Sequence, residues 1–221
     1  MIFKNLYRTI RSEPWPIQVI WAVLSFEFIL ALVEQQWPLA GVALFTFCLT
    51  LVPLYVSSRV GISFPTPLMV AVTAFIFATI FLGEAFDYYN RFWWWDILLH
   101  GGSALGFGLV GFMLVFMLFE GDRYAAPRWA MALIAFSFAV TIGACWEIFE
   151  YAMDQLFGTN MQKSGLDDTM GDLMVDVVGG SVGAFLGWLY MIGRGPGFTR
   201  GLFEDFVNRN RRFFKKFKRS K

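Results

Sequence analysis

Histidine occurs once in this chain, at position 100, four residues after Asp96 and directly before a Gly-Gly pair in "DILLHGG". Residues four apart share one helix face, so His100 and Asp96 can present an imidazole and a carboxylate to a common point. Glu147 and Glu150 lie three apart, Glu150 and Asp154 four, and Asp168, Asp172 and Asp176 are each four apart. Glu84 and Asp87 form a further set in "GEAFDYY". One imidazole among several carboxylates is a donor set for Mg, Mn, Ca, Zn or non-haem iron, and the same groups serve as general acids and bases. Helix bundles build two-metal sites from inward carboxylates, but the di-iron pattern needs two Glu-x-x-His motifs, and this chain has none.

Two carboxylates about 5 Å apart repel by roughly 3 kcal/mol at an effective dielectric of 20. A convergent group of them therefore requires protons or cations. The expected metal ligands are His100, Glu147, Glu150, Asp172 and Asp176, with Glu84, His100, Glu147 and Glu150 as the catalytic candidates and a divalent metal as the cofactor.

The elements that must position these residues follow from composition. With 57% hydrophobic and 16% charged residues and a mean hydropathy of +0.55, the chain is too apolar for an ordinary soluble domain. Apolar runs long enough to cross about 30 Å of hydrocarbon cover residues 17–34, 38–57, 67–87, 95–119, 128–152 and 169–192. The fold class expected is all-α: a polytopic membrane bundle of six helices over residues 1–192, followed by a basic amphipathic cytoplasmic tail over 193–221. The first run follows Lys4, Arg8 and Arg11 but is too long for a signal peptide, contains Glu27 and lacks a small-residue cleavage site. It reads as a retained helix.

Six spans put both termini on one side. That side carries sixteen of the eighteen Lys and Arg residues, the exceptions being Arg91 and Lys163, so the termini are expected in the cytoplasm by the positive-inside rule. Twelve of the seventeen acidic residues then fall in the outer halves of the helices or the outer loops. Charged groups in membrane helices point into the bundle or a wet cavity. Glu84, His100, Glu147, Glu150, Asp172 and Asp176 are expected to converge there, whereas Asp87 and Asp96 flank the aromatic residues Tyr88, Tyr89 and Trp93 to Trp95 and suit an interfacial belt equally well. Glu34, Asp154, Asp167 and Asp168 read as solvated loop or helix-end residues, and Glu27 stands alone on its helix. A weak internal repeat supports convergence: "EAFDYY" resembles "EIFEYA", and "DILLHGGS" resembles "DLMVDVVGGS" with two residues inserted, relating helices 3–4 to 5–6. Gly102 and Gly106, and Gly179, Gly183 and Gly187, recur at four-residue steps that allow close helix packing. Cys48 and Cys145 lie inside spans and read as packing residues rather than a disulfide or a metal pair.

The tail "FTRGLFEDFVNRNRRFFKKFKRSK" mixes Phe203, Phe206, Phe213, Phe214 and Phe217 with Arg and Lys. It suits an interfacial segment on anionic lipid headgroups. Membrane lipids, not nucleic acid, are the expected partners. No nucleotide-binding loop, haem-attachment motif or Ser-His-Asp signature occurs. A metal-dependent enzyme acting on a lipid or lipid-linked substrate, a cation- or proton-coupled carrier, and a non-catalytic accessory subunit all fit. A carrier needs polar residues through to the inner face, and inner halves such as "LVGFMLVFML" are apolar, which favours the enzyme.

Asp96, His100, Gly101 and Gly102, then Trp146, Glu147 and Glu150, then "GDLMVDVVGGSVGAFLG" together resemble the uncharacterised YjdF-type bacterial inner-membrane proteins. More distantly, the Asp172 and Asp176 segment is similar to the last part of VanZ-like membrane proteins, although Asp176 stands where those often have Asn. The resemblance covers about residues 80 to 190 and implies a multi-pass protein of the bacterial inner membrane.

Overall fold

The computed structural model describes residues 13–119 and 126–214. The described residues form helices and no strands: α1 (Trp15–Val33), α2 (Trp37–Val60), α3 (Thr66–Ile76), which continues as a π-helix over Phe77–Ala85, the short α4 (Tyr88–Arg91), α5 (Trp95–Leu118), α6 (Arg128–Phe157), α7 (Leu166–Met191) and α8 (Gly197–Arg209). Six helical stretches are long and apolar enough to cross a membrane: α1, α2, α3 with its π segment, α5, α6 and α7. These are the six spans expected, with the fifth running on to Phe157 and the sixth starting earlier, at Leu166. Proline sets several starts. Pro14, Pro65, Pro127 and Pro196 each stand immediately before a helix, where the missing N–H costs nothing. Gly61 and Gly158 end α2 and α6 in the left-handed conformation that glycine adopts without strain.

The chain divides into two compact units, residues 1–93 and 94–221. In the first, Ile17, Trp21 and Met69 form one buried cluster and Leu24, Ala43 and Phe81 another. The Trp21 indole N–H donates to Thr50 Oγ1 at 2.9 Å, so α1 and α2 are joined by a buried hydrogen bond as well as by packing. Glu84 lies on the π-helix and is exposed, Glu27 is partly exposed, and Glu34 accepts from Gln36 Nε2 at 2.7 Å.

The second unit is built on a glycine seam. A Cβ placed at Gly183 would strike the Leu105 carbonyl, one at Gly179 the Gly101 carbonyl, and one at Gly108 would sit 2.9 Å from the Gly180 carbonyl. Backbones of α5 and α7 thus touch directly, as small residues permit in lipid. The contacts run in register, Gly101 to Gly179 and Gly108 to Gly183, so the two helices are parallel. The third helix, α6, runs the other way, with Ala139 against Gly180 and Ala135 against Gly111. The expected α7 stripe of Gly179, Gly183 and Gly187 holds. On α5, however, nothing lies within 4 Å of a Cβ at Gly102 or Gly106, and the seam uses Gly101 and Gly108 instead. Spacing found small residues on that helix but not the face that meets α7.

Outward-facing side chains are apolar, as lipid requires: Leu133, Ile134 and Ile148 on α6, and Met174, Val178 and Phe185 on α7. Cys48 and Cys145 are free and exposed, so they do not pair, and they face outward rather than packing in the core.

Part of the tail packs on the protein itself. Phe203, Phe206 and Phe214 are fully buried against the protein: the Phe203 ring stacks on Tyr190 with centroids 4.6 Å apart and meets Phe112 edge-on at 5.8 Å, while Phe214 contacts Phe116 at 5.5 Å. Burial of each phenylalanine removes it from water, worth about 1.5–3 kcal/mol per ring. Helix α8 therefore caps the Phe116 end of the three-helix unit, leaving exposed a polar face with Arg200, Glu204, Asn208 and Arg209, together with Phe198 at its start. Phe217, Lys215, Lys216 and Lys218 lie outside the described residues.

Candidate metal centre

The same face of α7 that carries the glycine seam carries Asp172 and Asp176 one and two turns nearer its start. Backbone contact between α5 and α7 therefore brings both carboxylates to His100. Asp176 also needs space on its α6 side, which Gly143 supplies: any Cβ there would collide with the Asp176 carboxylate. His100, Glu147, Asp172 and Asp176 are all buried, with 8%, 4%, 5% and 1% of their surfaces exposed.

The two imidazole nitrogens face different surroundings. Nδ1 lies 3.4 and 3.5 Å from the two oxygens of Asp176. Nε2 lies 3.9 Å from Asp96 Oδ1, 3.9 Å from Glu147 Oε1 and 3.9 Å from Asp172 Oδ2. With Nδ1–H directed at Asp176, the Nε2 lone pair is directed into a space bounded by three carboxylates. A carboxylate on one ring nitrogen that orients the other toward a metal is the usual support of a metal-bound histidine. Asp176 thus faces Nδ1, across the ring from the three carboxylates at Nε2.

Both carboxylate oxygens of Glu147 are buried and without a hydrogen-bond partner among the described residues. The neighbouring Thr169 hydroxyl accepts from Gln162 Nε2 at 2.5 Å. An unpartnered buried carboxylate aimed at His100 leaves unmet a demand of several kcal/mol if it is ionised. Asp96, His100 and Asp172 each offer a ligand atom within 4.8 Å of the other two. Two donors about 2.1 Å from one ion are at most about 4.2 Å apart; the 3.9 Å contacts of Nε2 meet that limit, while Glu147 lies outside the Asp96, His100 and Asp172 group.

The expected site residues sort into three groups. His100, Glu147, Asp172 and Asp176 come together. Glu150, one turn beyond Glu147, is partly exposed and makes no ion pair with His100; its Oε1 accepts from the Trp146 indole N–H at 2.9 Å, which turns it to the rim. Glu84 belongs to the first unit. Asp96 suited the interfacial belt and the site equally well by sequence, and the structure puts it in the cluster, 24% exposed. Its i,i+4 relation to His100 was the available signal, obscured by the tryptophans before it.

Asp154, read as a solvated helix end, organises the α6–α7 loop. Its Oδ1 accepts from the Thr159 hydroxyl at 2.7 Å and the Met161 N–H at 2.7 Å, and its Oδ2 from the Gln162 N–H at 2.9 Å. Asp167 and Asp168, also read as loop or helix-end residues, lie in the first turn of α7, where the helix dipole favours acids.

Residues 15–193 match the family described as "Predicted membrane protein (DUF2238)". The chain belongs to that family. An uncharacterized protein of Thermotoga maritima is similar to it, 29% identical over 114 residues, which are 52% of this chain and 57% of that protein. The chain thus spans little more than half the length of that relative. No solved structure matches.

Proposed function

We propose that the 94–221 unit binds a divalent cation between His100, Asp96, Asp172 and Glu147, and uses it as a metal-dependent enzyme on a lipid or lipid-linked substrate at the outer membrane face. The observation that carries this reading is Glu147: a buried carboxylate with two unpartnered oxygens, 3.9 Å from an imidazole nitrogen that two further carboxylates also face. The donor set of one nitrogen and several oxygens fits Mg, Mn, Zn or iron(II). The bound ion would supply Lewis acidity or an activated water; Asp176 would orient the ligand imidazole, and Glu150 at the rim is placed for proton transfer.

A carrier is the less favoured reading. Below His100 the unit is closed by the glycine seam and by Phe112, Met113, Phe116 and Met131, all fully buried, and the α8 phenylalanines cover the far end. Among the described residues of α5, α6 and α7, the buried carboxylates and imidazole are confined to the His100 end. A dead-end site suits binding and catalysis better than passage.

The enzyme reading is tested by incubating the purified protein with a bacterial membrane lipid extract and following lipid species by mass spectrometry. A product that forms with Mn2+, disappears with chelator and is absent with Glu147→Gln is expected. No lipid change under any condition overturns the catalytic half of the proposal.

We place the protein in the bacterial inner membrane with the termini and α8 in the cytoplasm, a placement supported by the sixteen-to-two distribution of basic residues and by the YjdF-type resemblance. In a cysteine-free background, a thiol introduced at Ser164 should react with an impermeant reagent in intact cells, and one at Ser63 only after permeabilisation. The reverse pattern would invert the site to the cytoplasmic face.

With Phe203, Phe206 and Phe214 packed into the protein, the basic residues give the tail an electrostatic route to anionic lipid. About 1 kcal/mol per basic residue is available near such a surface. Replacing Arg211, Arg212, Lys215, Lys216 and Lys218 with Gln should abolish the extra thermal stability the full chain gains in anionic over zwitterionic nanodiscs, most clearly at low salt. An undiminished gain would remove lipid headgroups as the partner of these charges.

A further inference from the structure

The α6–α7 loop places a lysine over the acidic cluster. Lys163 Nζ lies 4.0 Å from Asp96 Oδ2, while the other oxygen of the same carboxylate lies 3.9 Å from His100 Nε2. Asp96 thus bridges a cation outside the cluster and the imidazole inside it. Lysine and arginine are otherwise scarce on this side of the sequence, where Arg91 is the second of two.

The backbone around Lys163 is fixed on both sides. Asp154 holds the preceding residues through the three hydrogen bonds given above, and Gln162 Nε2 ties the loop to Thr169 on α7. The Lys163 N–H donates to the Met161 carbonyl at 3.1 Å and the Gly165 N–H to the Gln162 carbonyl at 3.0 Å. Gly165 then takes a positive φ of 70° as the chain enters α7, a conformation that suits glycine. With the backbone anchored, the amine can leave Asp96 only by swinging its own stem. The pair is about a quarter to a third exposed, so it is a weak contact that another cation can break.

We propose that Lys163 is a tethered counter-cation for the acidic site, and that a divalent cation entering beside His100 displaces it from Asp96. This rests on the metal reading above and adds its regulation: the loop senses occupancy, and the lysine lowers the affinity of the empty site. The unpartnered Glu147 gives the second, independent sign that a ligand belongs there, since Lys163 reaches Asp96 while both Glu147 oxygens stay unmet.

Mn2+ titration of the full-length protein in detergent, followed by electron paramagnetic resonance, tests this. Lys163→Met should bind Mn2+ about fivefold more tightly than the wild type, the scale of a partly exposed ion pair, and Lys163→Arg should bind as the wild type does. In parallel, amine acylation of Lys163 quantified by mass spectrometry should speed up severalfold when Mn2+ is added. If wild type and Lys163→Met bind Mn2+ equally, or if acylation is indifferent to Mn2+, the counter-cation role is overturned while the metal site stands. Weaker binding by Lys163→Met overturns it as well, assigning the lysine to site assembly. If neither protein binds Mn2+, the metal reading fails and this inference with it.

Discussion

Replacing Glu147 with glutamine should raise the stability of the protein without divalent cation and abolish the stabilisation that the cation gives. In chelator, the wild type holds a buried carboxylate without a hydrogen bond, facing the imidazole that Asp96, Asp172 and Asp176 also face, and the isosteric amide removes that charge, worth roughly 1–3 kcal/mol. With a cation at a hundred times its Kd, the wild type gains about 2.7 kcal/mol by mass action, or about 5–10 °C for a chain of this size. The glutamine variant should gain almost nothing. Thermal unfolding should therefore rank the variant above the wild type in chelator, and Mn2+ should raise the wild type alone. If protons alone neutralise the cluster, the variant ranks above in both conditions, and metal content is near zero in each.

Gly183→Leu should have the largest effect on the fold. A Cβ there strikes the backbone oxygen of Leu105, which cannot move aside as a flexible side chain would, so α5 and α7 must separate. Overpacking of this kind costs about 3 kcal/mol or more. Separation also draws Asp172 and Asp176 away from His100, so any Mn2+ response should vanish with the packing. Gly102→Ala and Gly106→Ala are the controls: nothing lies within 4 Å of their added methyl groups, and alanine is favoured over glycine in a helix by about 1 kcal/mol. Both should unfold at or above the wild-type temperature with the Mn2+ response intact. Destabilisation by the controls equal to that of Gly183→Leu would remove the seam as the element that positions the site.

The spans were legible in the sequence because hydrocarbon thickness sets a length and composition that few other constraints mimic. The convergence of His100, Glu147, Asp172 and Asp176 was legible for a related reason: buried charge in lipid must meet other charge, and helical spacing says which side chains can meet. What spacing does not give is direction. Asp96 sits behind three tryptophans and was equally compatible with the interfacial belt; the α5–α7 seam, running through Gly101 and Gly108, turns it to the mouth of the cluster. Gly102 and Gly106 have the right spacing on the wrong face. The likeness of "EAFDYY" to "EIFEYA" does not extend to equivalent environments: Glu84 is exposed on a π-helix, whose wider turn shifts the side-chain register, whereas Glu147 is buried on an α-helix. The tail phenylalanines matched a lipid-binding composition because the end of a helix bundle and the edge of a bilayer offer the same apolar surface. The packing of Phe203 on Tyr190 and Phe112 and of Phe214 on Phe116 assigns these rings to the bundle.

The claim that a divalent cation sits on His100 Nε2 has a direct spectroscopic test, because the chain contains a single histidine. Electron spin echo envelope modulation of protein-bound Mn2+ should show coupling to one imidazole nitrogen, absent in His100→Ala. Bound Mn2+ with no nitrogen coupling, or no bound Mn2+ at all, would contradict the account.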